Sequence, residues 1–330
     1  MSDSIAIGTK AVRPDSAPAA ARARHGVPDV RRRLQLALAA IWLLDGVLQC
    51  QPVMFTRAFP PTLAATAQGN PALIAGPITW SAHLIGQHVV AMNAVFAAVQ
   101  LLLGLGIAWR PTMKLALGAS IAWAAAVWWL GEGLGSVLTG GASPVSGAPG
   151  AVILYALLAI LLWPVASERA APFVAGRAIG APVARGLWLI VWGSLAGLAL
   201  QPAARAPHAI SGMISAMTHG QPGWLAWTGN HAASALSQQG LAASVVLAVA
   251  LAVVAAGGCL PARAAIVLAI VIAAAIWIAE GLGGVFTGSA TDPNTGPLLA
   301  LLALAYWPSA AGRHPAAPEA AVNHSRAIAV

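Results

Sequence analysis

An all-α integral membrane protein, with about eight transmembrane helices arranged as two parallel four-helix repeats, is the fold class this sequence predicts. The 330-residue chain is 59% hydrophobic and only 8% charged, with a mean hydropathy of +0.78. Soluble domains carry roughly 25% charged residues, so an ordinary soluble fold is excluded. Several apolar runs approach the ~20 residues a helix needs to cross a bilayer. The third observation is a duplication. Trp128-Trp129-Leu130-Gly131-Glu132-Gly133-Leu134-Gly135, continuing to Thr139-Gly140, returns as Ile276-Trp277-Ile278-Ala279-Glu280-Gly281-Leu282-Gly283, continuing to Thr287-Gly288. Each copy leads through a polar loop into an apolar run ending in Trp-Pro, at Trp163-Pro164 and Trp307-Pro308.

Residues 1–30 are rich in Ala, Pro, Ser and Arg and lack an apolar stretch. They read as a disordered cytoplasmic tail rather than a signal peptide. The first repeat, residues 31–165, opens at Arg31-Arg32-Arg33 with a run from Leu34 to Gln49, stopped by Gln51-Pro52. A long loop follows, in which Pro61 to Gln68 reads as a short interfacial helix closed by Gly69 before Asn70-Pro71. Further runs extend from Val89 to Trp109, from Thr112 to about Leu138, and from Ala151 to Trp163. A basic cytoplasmic linker, 166–185, separates the halves. The second repeat, 186–308, repeats the plan with runs Leu187–Leu200, Leu241–Cys259, Ala264–Phe286 and Pro297–Trp307. Its loop carries a short helix from Ile210 to Thr218, closed by Gly220 before Gln221-Pro222. Residues 309–330 form a second cytoplasmic tail.

The net charge of +8 reads as a topology signal, and no nucleic-acid partner is expected. With eight spans and both termini cytoplasmic in the plasma (inner) membrane, only Arg57 and Arg205 of the seventeen basic residues face outward. That distribution obeys the positive-inside rule. Four spans per repeat make the halves parallel, related by an axis along the membrane normal. The two cysteines, Cys50 and Cys259, then lie on opposite faces, too far apart for a disulfide.

Three acids, Asp45, Glu132 and Glu280, are expected inside spans, where a charge costs at least ~2.5 kcal/mol and faces a bundle interior or a wet cavity. Both glutamates stand near a helix C-terminus, whose dipole disfavours negative charge, so they are not expected as caps. One reading makes them a proton- or cation-handling pair facing each other across the axis. The structural alternative is that each is neutral or bonded to Trp, Ser or Thr and fixes packing. Asp45 has no acidic counterpart, because the second half has Leu195-Ala196 there. The glycines after each glutamate are expected to serve close helix packing rather than a helix break. With no following Lys and no preceding strand, they are not a phosphate loop.

His83, His88, His208, His219 and His231 fall on the outward side, with Met54, Met213 and Met217 nearby. His83 and His231 correspond between repeats and are the candidate ligands of an outward copper or haem site. His83 and His88, five residues apart, stand roughly 140° apart on a helix and cannot chelate one ion from one face. Met213 and Met217 are expected to seat a short helix on the membrane surface. Tryptophans near the span ends, Trp80, Trp109, Trp129, Trp163, Trp224, Trp227 and Trp307, form an interfacial belt.

The openings of the two halves are Arg33-Leu34-(x)8-Leu43-Leu44-Asp45-Gly46-Val47-Leu48-Gln49 and Arg185-Gly186-Leu187-(x)4-Trp192-Gly193. They resemble DoxX/DoxD-type membrane proteins, four-helix units of which some are subunits of thiosulfate:quinone oxidoreductase. Where such chains carry Lys or a similar polar group, this one has Gln49. The resemblance implies an accessory or redox-linked membrane component, with quinone, haem or copper as the cofactors to consider. The residues themselves leave two alternatives: a proton- or ion-coupled small-solute permease using the intramembrane acids, or a structural subunit. The expected partners are the lipid bilayer and another membrane protein. No nucleophile–base arrangement is apparent, so enzymatic activity is not expected.

Overall fold

The computed structural model describes residues 29–165, 171–258 and 263–308, and among them the chain is helical without a strand. The two tails, part of the linker and Cys259 lie outside the described residues. In chain order the first half comprises α1 (Val30–Gln49), α2 (Phe59–Ala65), α3 (Ala72–Gln87), α4 (Val89–Ala108), α5 (Met113–Leu130) and α6 (Ala151–Leu161). The linker contributes α7 (Val174–Ile179). The second half comprises α8 (Ala181–Ala199), α9 (Ala209–Ala216), α10 (Gly223–Ala235), α11 (Gly240–Gly257), α12 (Arg263–Ala279) and α13 (Thr295–Ala305).

Four of these helices, α4, α5, α8 and α11, are long and apolar enough to cross a membrane. Their outward faces carry large apolar side chains: Leu102 is 67% exposed, Leu115 77% and Val246 69%. Water would not tolerate so continuous a belt, whereas lipid would. α1 is as long, but Arg31, Arg32, Arg33 and Asp45 lower its hydropathy. α6 and α13 have 11 residues each. At 1.5 Å per residue they reach only about half-way across a ~30 Å hydrocarbon core.

The two short helices occupy the centre. Leu154, Tyr155 and Leu158 of α6, and Leu298, Leu299 and Leu302 of α13, are essentially inaccessible, and the two helices pack on each other. Around them α1 packs on α4, α8 on α11, α5 on α6, and α12 on α13. The C-terminal ends of α6 and α13 are tied to other helices. Gln35 Nε2 donates to the Leu162 carbonyl at 2.9 Å. Tyr306 Oη donates to the Ala184 carbonyl at 2.6 Å and stacks on Phe173 at 5.1 Å. Phe173 leads into α7, whose Val174, Ala175 and Ala178 are buried. The expected linker is therefore partly core, its apolar residues filling the space beneath the half-length helices, and α8 begins within it, at Ala181. Arg32 closes α4 in the same way, donating to the carbonyls of Ile107 (2.9 Å) and Ala108.

The long loops differ from expectation. The short helices α2 and α9 form, and Gly69 and Gly220 end the following turns in left-handed conformation, φ +74° and +71°. Each is followed by another helix, α3 or α10, that the expectation of a loop omitted. Pro77 lies inside α3, where it supplies no N–H to the helix ladder, yet the helix runs on to Gln87. The hairpin tips dock on the duplicated motif. Asn70 Nδ2 donates to the Thr66 carbonyl (2.9 Å) and reaches that of Gly133 (3.4 Å), while Gln221 Nε2 donates to the carbonyl of Gly281 (2.8 Å).

Candidate functional site: an acid-lined apolar cavity

The duplicated motif breaks its helix. α5 ends at Leu130 and α12 at Ala279, before the glutamates, where the expected spans ran on to Leu138 and Phe286. Gly133, Leu134, Gly135 and Ser136 all have positive φ (55°, 55°, 60° and 58°). Gly281, Leu282, Gly283 and Gly284 repeat this with 61°, 53°, 69° and 68°. Four successive left-handed residues reverse the chain, at roughly 1–2 kcal/mol for each residue bearing a Cβ, which is why glycine dominates the stretch. A Cβ on Gly135 would also collide with the Pro149 carbonyl. The glycines thus make a helix break and a close backbone approach, rather than helix packing alone.

The copies differ by one residue of register. Glu132 N–H bonds the Val127 carbonyl five residues back (2.9 Å), whereas Glu280 N–H bonds Ile276 four back (2.8 Å). The extra residue in α5 is a single π-type turn. It makes Trp128, not Trp129, the counterpart of Trp277: Trp128 Nε1 donates to the Pro149 carbonyl (2.7 Å) and Trp277 Nε1 to that of Pro293 (2.8 Å).

The break turns each glutamate onto the start of the next helix. Glu132 Oε1 accepts the Val152 N–H at 3.2 Å, in the first turn of α6. Glu280 Oε1 accepts from Thr295 Oγ1 at 2.6 Å, at the start of α13. Expected not to be caps, both glutamates nevertheless cap: they follow one helix but serve the N-terminus of another, where unpaired N–H groups and the dipole favour an anion. Glu280 is 1% exposed.

The acids do not divide symmetrically. A cavity of about 540 Å³ lies in the first half, with Asp45, Gln49, Gln100 and Glu132 among its lining residues. Its walls are largely aromatic and aliphatic, including Trp80, Phe96, Trp123 and the buried Met54. Asp292, Ser289 and Thr291 from the second half reach this cavity too. Together with Glu132 they also line a polar pocket of about 320 Å³ between the two motif loops. The polar pocket and the apolar cavity therefore share a wall of Glu132, Ser289, Thr291 and Asp292. Glu280 lines neither, and the acids that share the apolar cavity's lining are Asp45, Glu132 and Asp292.

Asp45 is 2% exposed. Its Oδ2 accepts from Tyr155 Oη at 2.5 Å, and Tyr155 packs against Trp42 with ring centroids 4.2 Å apart. Trp42 Nε1 donates to Ser120 Oγ at 3.0 Å, locking the ring. Beside them Gln49 Nε2 donates to Asn93 Oδ1, and Asn93 Nδ2 returns a bond to the Gln49 carbonyl at 2.9 Å. Three buried acceptors at the cavity remain without a donor: Asp45 Oδ1, Glu132 Oε2 and Gln100 Oε1.

Outside the membrane-spanning helices, burial raises the Glu132 carboxyl from the ordinary 4.5 to about 8, and the nearby charge of Asp292 adds to it. Burial lifts Glu280 to about 8 as well, against the opposing bond from Thr295. Asp292 is raised by burial, opposed by the bonds from Asn294 N–H (2.7 Å) and Thr291 Oγ1 (2.9 Å). Between about pH 4.5 and 8 the folded protein binds these protons more tightly than the unfolded chain, so stability falls as pH rises through that window. The midpoint of thermal unfolding in detergent is expected to drop from pH 5 to pH 8.5, and the double substitution Glu132→Gln/Glu280→Gln to flatten that slope. An unchanged slope would refute the assignment.

No protein-family model, curated protein or solved structure matches the chain.

The remaining candidates lie apart. His83 is exposed, with Nε2 3.0 Å from Gln87 Nε2. His231 is exposed too, bonds the Trp227 carbonyl at 2.8 Å and packs against its ring, centroids 3.9 Å apart and planes tilted at 39°. Among the described residues no group of three or more His, Cys, Asp or Glu could hold a metal ion. Asp292 was missed because a lone Asp before Pro-Asn reads as a turn former. Tyr155 was missed because its run is otherwise aliphatic; one phenol in a buried apolar helix was the available signal.

Proposed function

We propose that the chain is a proton-coupled small-solute carrier of the plasma membrane, built as two parallel four-helix repeats with both termini cytoplasmic. The repeat reading is supported by the recurrence of buried positions. In α1 and α8 the pairs are Leu38/Trp188, Trp42/Trp192 and Asp45/Leu195, and in α5 and α12 they are Leu117/Ile266, Ser120/Ala269 and Ala124/Ala273. The single observation that carries the carrier reading is the apolar cavity holding unpartnered carboxylate oxygens and walled by the same acids as a polar pocket. Buried acceptors without partners are costly, and a site that retains them does so for a proton or a ligand.

The helix register adds a second support. Where the first half has Asp45, Gln49, Gln100 and Tyr155, the second half has Leu195, Ala199, Leu251 and Leu299, all buried and apolar. Where the first half has an acid and its phenol partner, the paired positions of the second half hold two leucines. Packing alone needs no polar group at these positions, so the polar set belongs to the first half's own task.

The test is reconstitution. Liposomes carrying a pH dye inside would receive outside an amine, an alcohol or a carboxylate, all with the same phenyl body. The reading predicts that at least one moves the lumenal pH faster than in protein-free liposomes, and that Asp45→Asn lowers this rate at least tenfold. No protein-dependent response to any of the three would overturn it.

A further inference from the structure

We propose that the first-half cavity takes an amphiphilic organic cation, a protonated amine on an aromatic or alkyl body, whose ammonium group seats between Asp45 and Glu132. This inference rests on the carrier reading and names its substrate class. At about 540 Å³ the cavity has the size of a small-molecule site. The fully buried polar atoms left without a partner at the cavity are acceptors: Asp45 Oδ1, Glu132 Oε2 and Gln100 Oε1. A ligand that pairs these three buried acceptors must bring donors, and an ammonium brings up to three on one atom.

Charge points the same way. Asp45, Glu132 and Asp292 line the cavity, and no Lys, Arg or His is among its lining residues. Negative charge without a protein cation in a low-dielectric site is relieved in two ways, by a proton or by a cation from outside. An anionic ligand would add to the repulsion. A ligand carrying only acceptors, such as a quinone, would leave the carboxylate oxygens unpaired whenever they are ionised. The body of the ligand meets Trp80, Phe96 and Trp123, with Phe96 and Trp123 tilted at 59° and 5.8 Å apart.

A shared site makes exchange the natural coupling. The titratable groups facing the ammonium are Asp45 from α1, with Tyr155 from α6 bonded to it, Glu132 after α5 and Asp292 before α13. When an ammonium enters a cavity whose carboxyls are protonated, a proton leaves a carboxyl oxygen to solvent and the N–H of the ligand takes its place. The balance is one cation for one proton.

The experiment uses the full chain in detergent, with 2-phenylethylamine, 2-phenylethanol and 3-phenylpropionate as probes, followed by tryptophan fluorescence and by proton release into weak buffer. The amine is expected to bind with release of a proton at pH 7, and the other two to bind at least tenfold more weakly. Asp45→Asn should weaken amine binding at least tenfold. Gln100→Leu, which places the residue type found at Leu251, should weaken it severalfold and serves if the first variant fails to fold. Equal binding of the alcohol, or amine binding indifferent to both substitutions, would overturn the substrate class. If the alcohol or the carboxylate rather than the amine drives Asp45-dependent pH changes in liposomes, the class falls while the carrier reading stands. If none of the three drives them, both fall.

Discussion

Removing the hydroxyl of Tyr155 alone is expected to destabilise the protein by about 1–3 kcal/mol, because it leaves the 2% exposed Asp45 with neither oxygen partnered. Asp45→Leu alone should cost a similar amount, since it strands the phenol instead. The double variant Asp45→Leu/Tyr155→Phe removes both ends of the bond and keeps the ring against Trp42. It should return to within about 1 kcal/mol of the original stability, because deleting both partners of a buried bond is nearly neutral. Thermal unfolding of the four proteins in detergent gives the cycle directly, with a coupling of roughly 1–3 kcal/mol. Its function should not return. The ligand loses a charge-assisted contact worth about 2–5 kcal/mol, a loss of thirtyfold or more in affinity. Fold and function should separate in this variant, because leucines are already buried in the second half at Leu195 and Leu299, the positions that the proposed repeat pairs with Asp45 and Tyr155.

Gly135→Ala should be among the most damaging glycine substitutions of the described residues. Its residue stands at φ +60°, and the new Cβ would meet the Pro149 carbonyl and the Gly150 amide. The left-handed conformation costs about 1–2 kcal/mol and the collision adds more, so a loss on the order of 3 kcal/mol or above is expected. The reversal also sets Glu132 on α6, so capping and cavity wall should be lost with it. Gly140→Ala isolates the backbone share: it too has positive φ, +76°, but nothing lies within 4 Å of its would-be Cβ. It should cost about 1 kcal/mol. Equal effects of the two substitutions, read as unfolding midpoints, would deny that the close approach at Pro149 matters.

How far the residues alone led depended on the kind of physics involved. Apolar runs, proline stops and capping glycines are local signals, and they placed the core helices, the short helices α2 and α9 and the duplicated motif. Asp45, Glu132 and Glu280 stood out because an acid in an apolar run is costly wherever it points. What the acids touch was another matter. Glu132 and Glu280 looked like residues at a helix C-terminus because periodicity cannot register four left-handed residues reversing the chain. The one-residue slip that pairs Trp128 with Trp277 depends on a hydrogen bond five residues back, which repeat alignment does not sense. Asp292 joins the first half's cavity from the second half by tertiary packing alone. The Tyr155–Asp45 bond spans 110 residues of sequence, and only comparison with Leu195 and Leu299, once the helix register was known, gave it meaning.

Solute-dependent lumenal pH change in liposomes, compared between Asp45→Leu/Tyr155→Phe and Glu280→Gln, tests most directly that the first-half cavity is the working site. The first variant removes Asp45 from the cavity wall together with the phenol bonded to it; the second neutralises an acid that sits at the start of α13 and lines neither cavity nor pocket. The account predicts that the first lowers the response to the amine at least tenfold while its stability stays within about 1 kcal/mol of the original, and that the second keeps most of it. Loss of the response in Glu280→Gln together with its retention in the Asp45 variant would contradict the account and return function to the symmetric pair of glutamates.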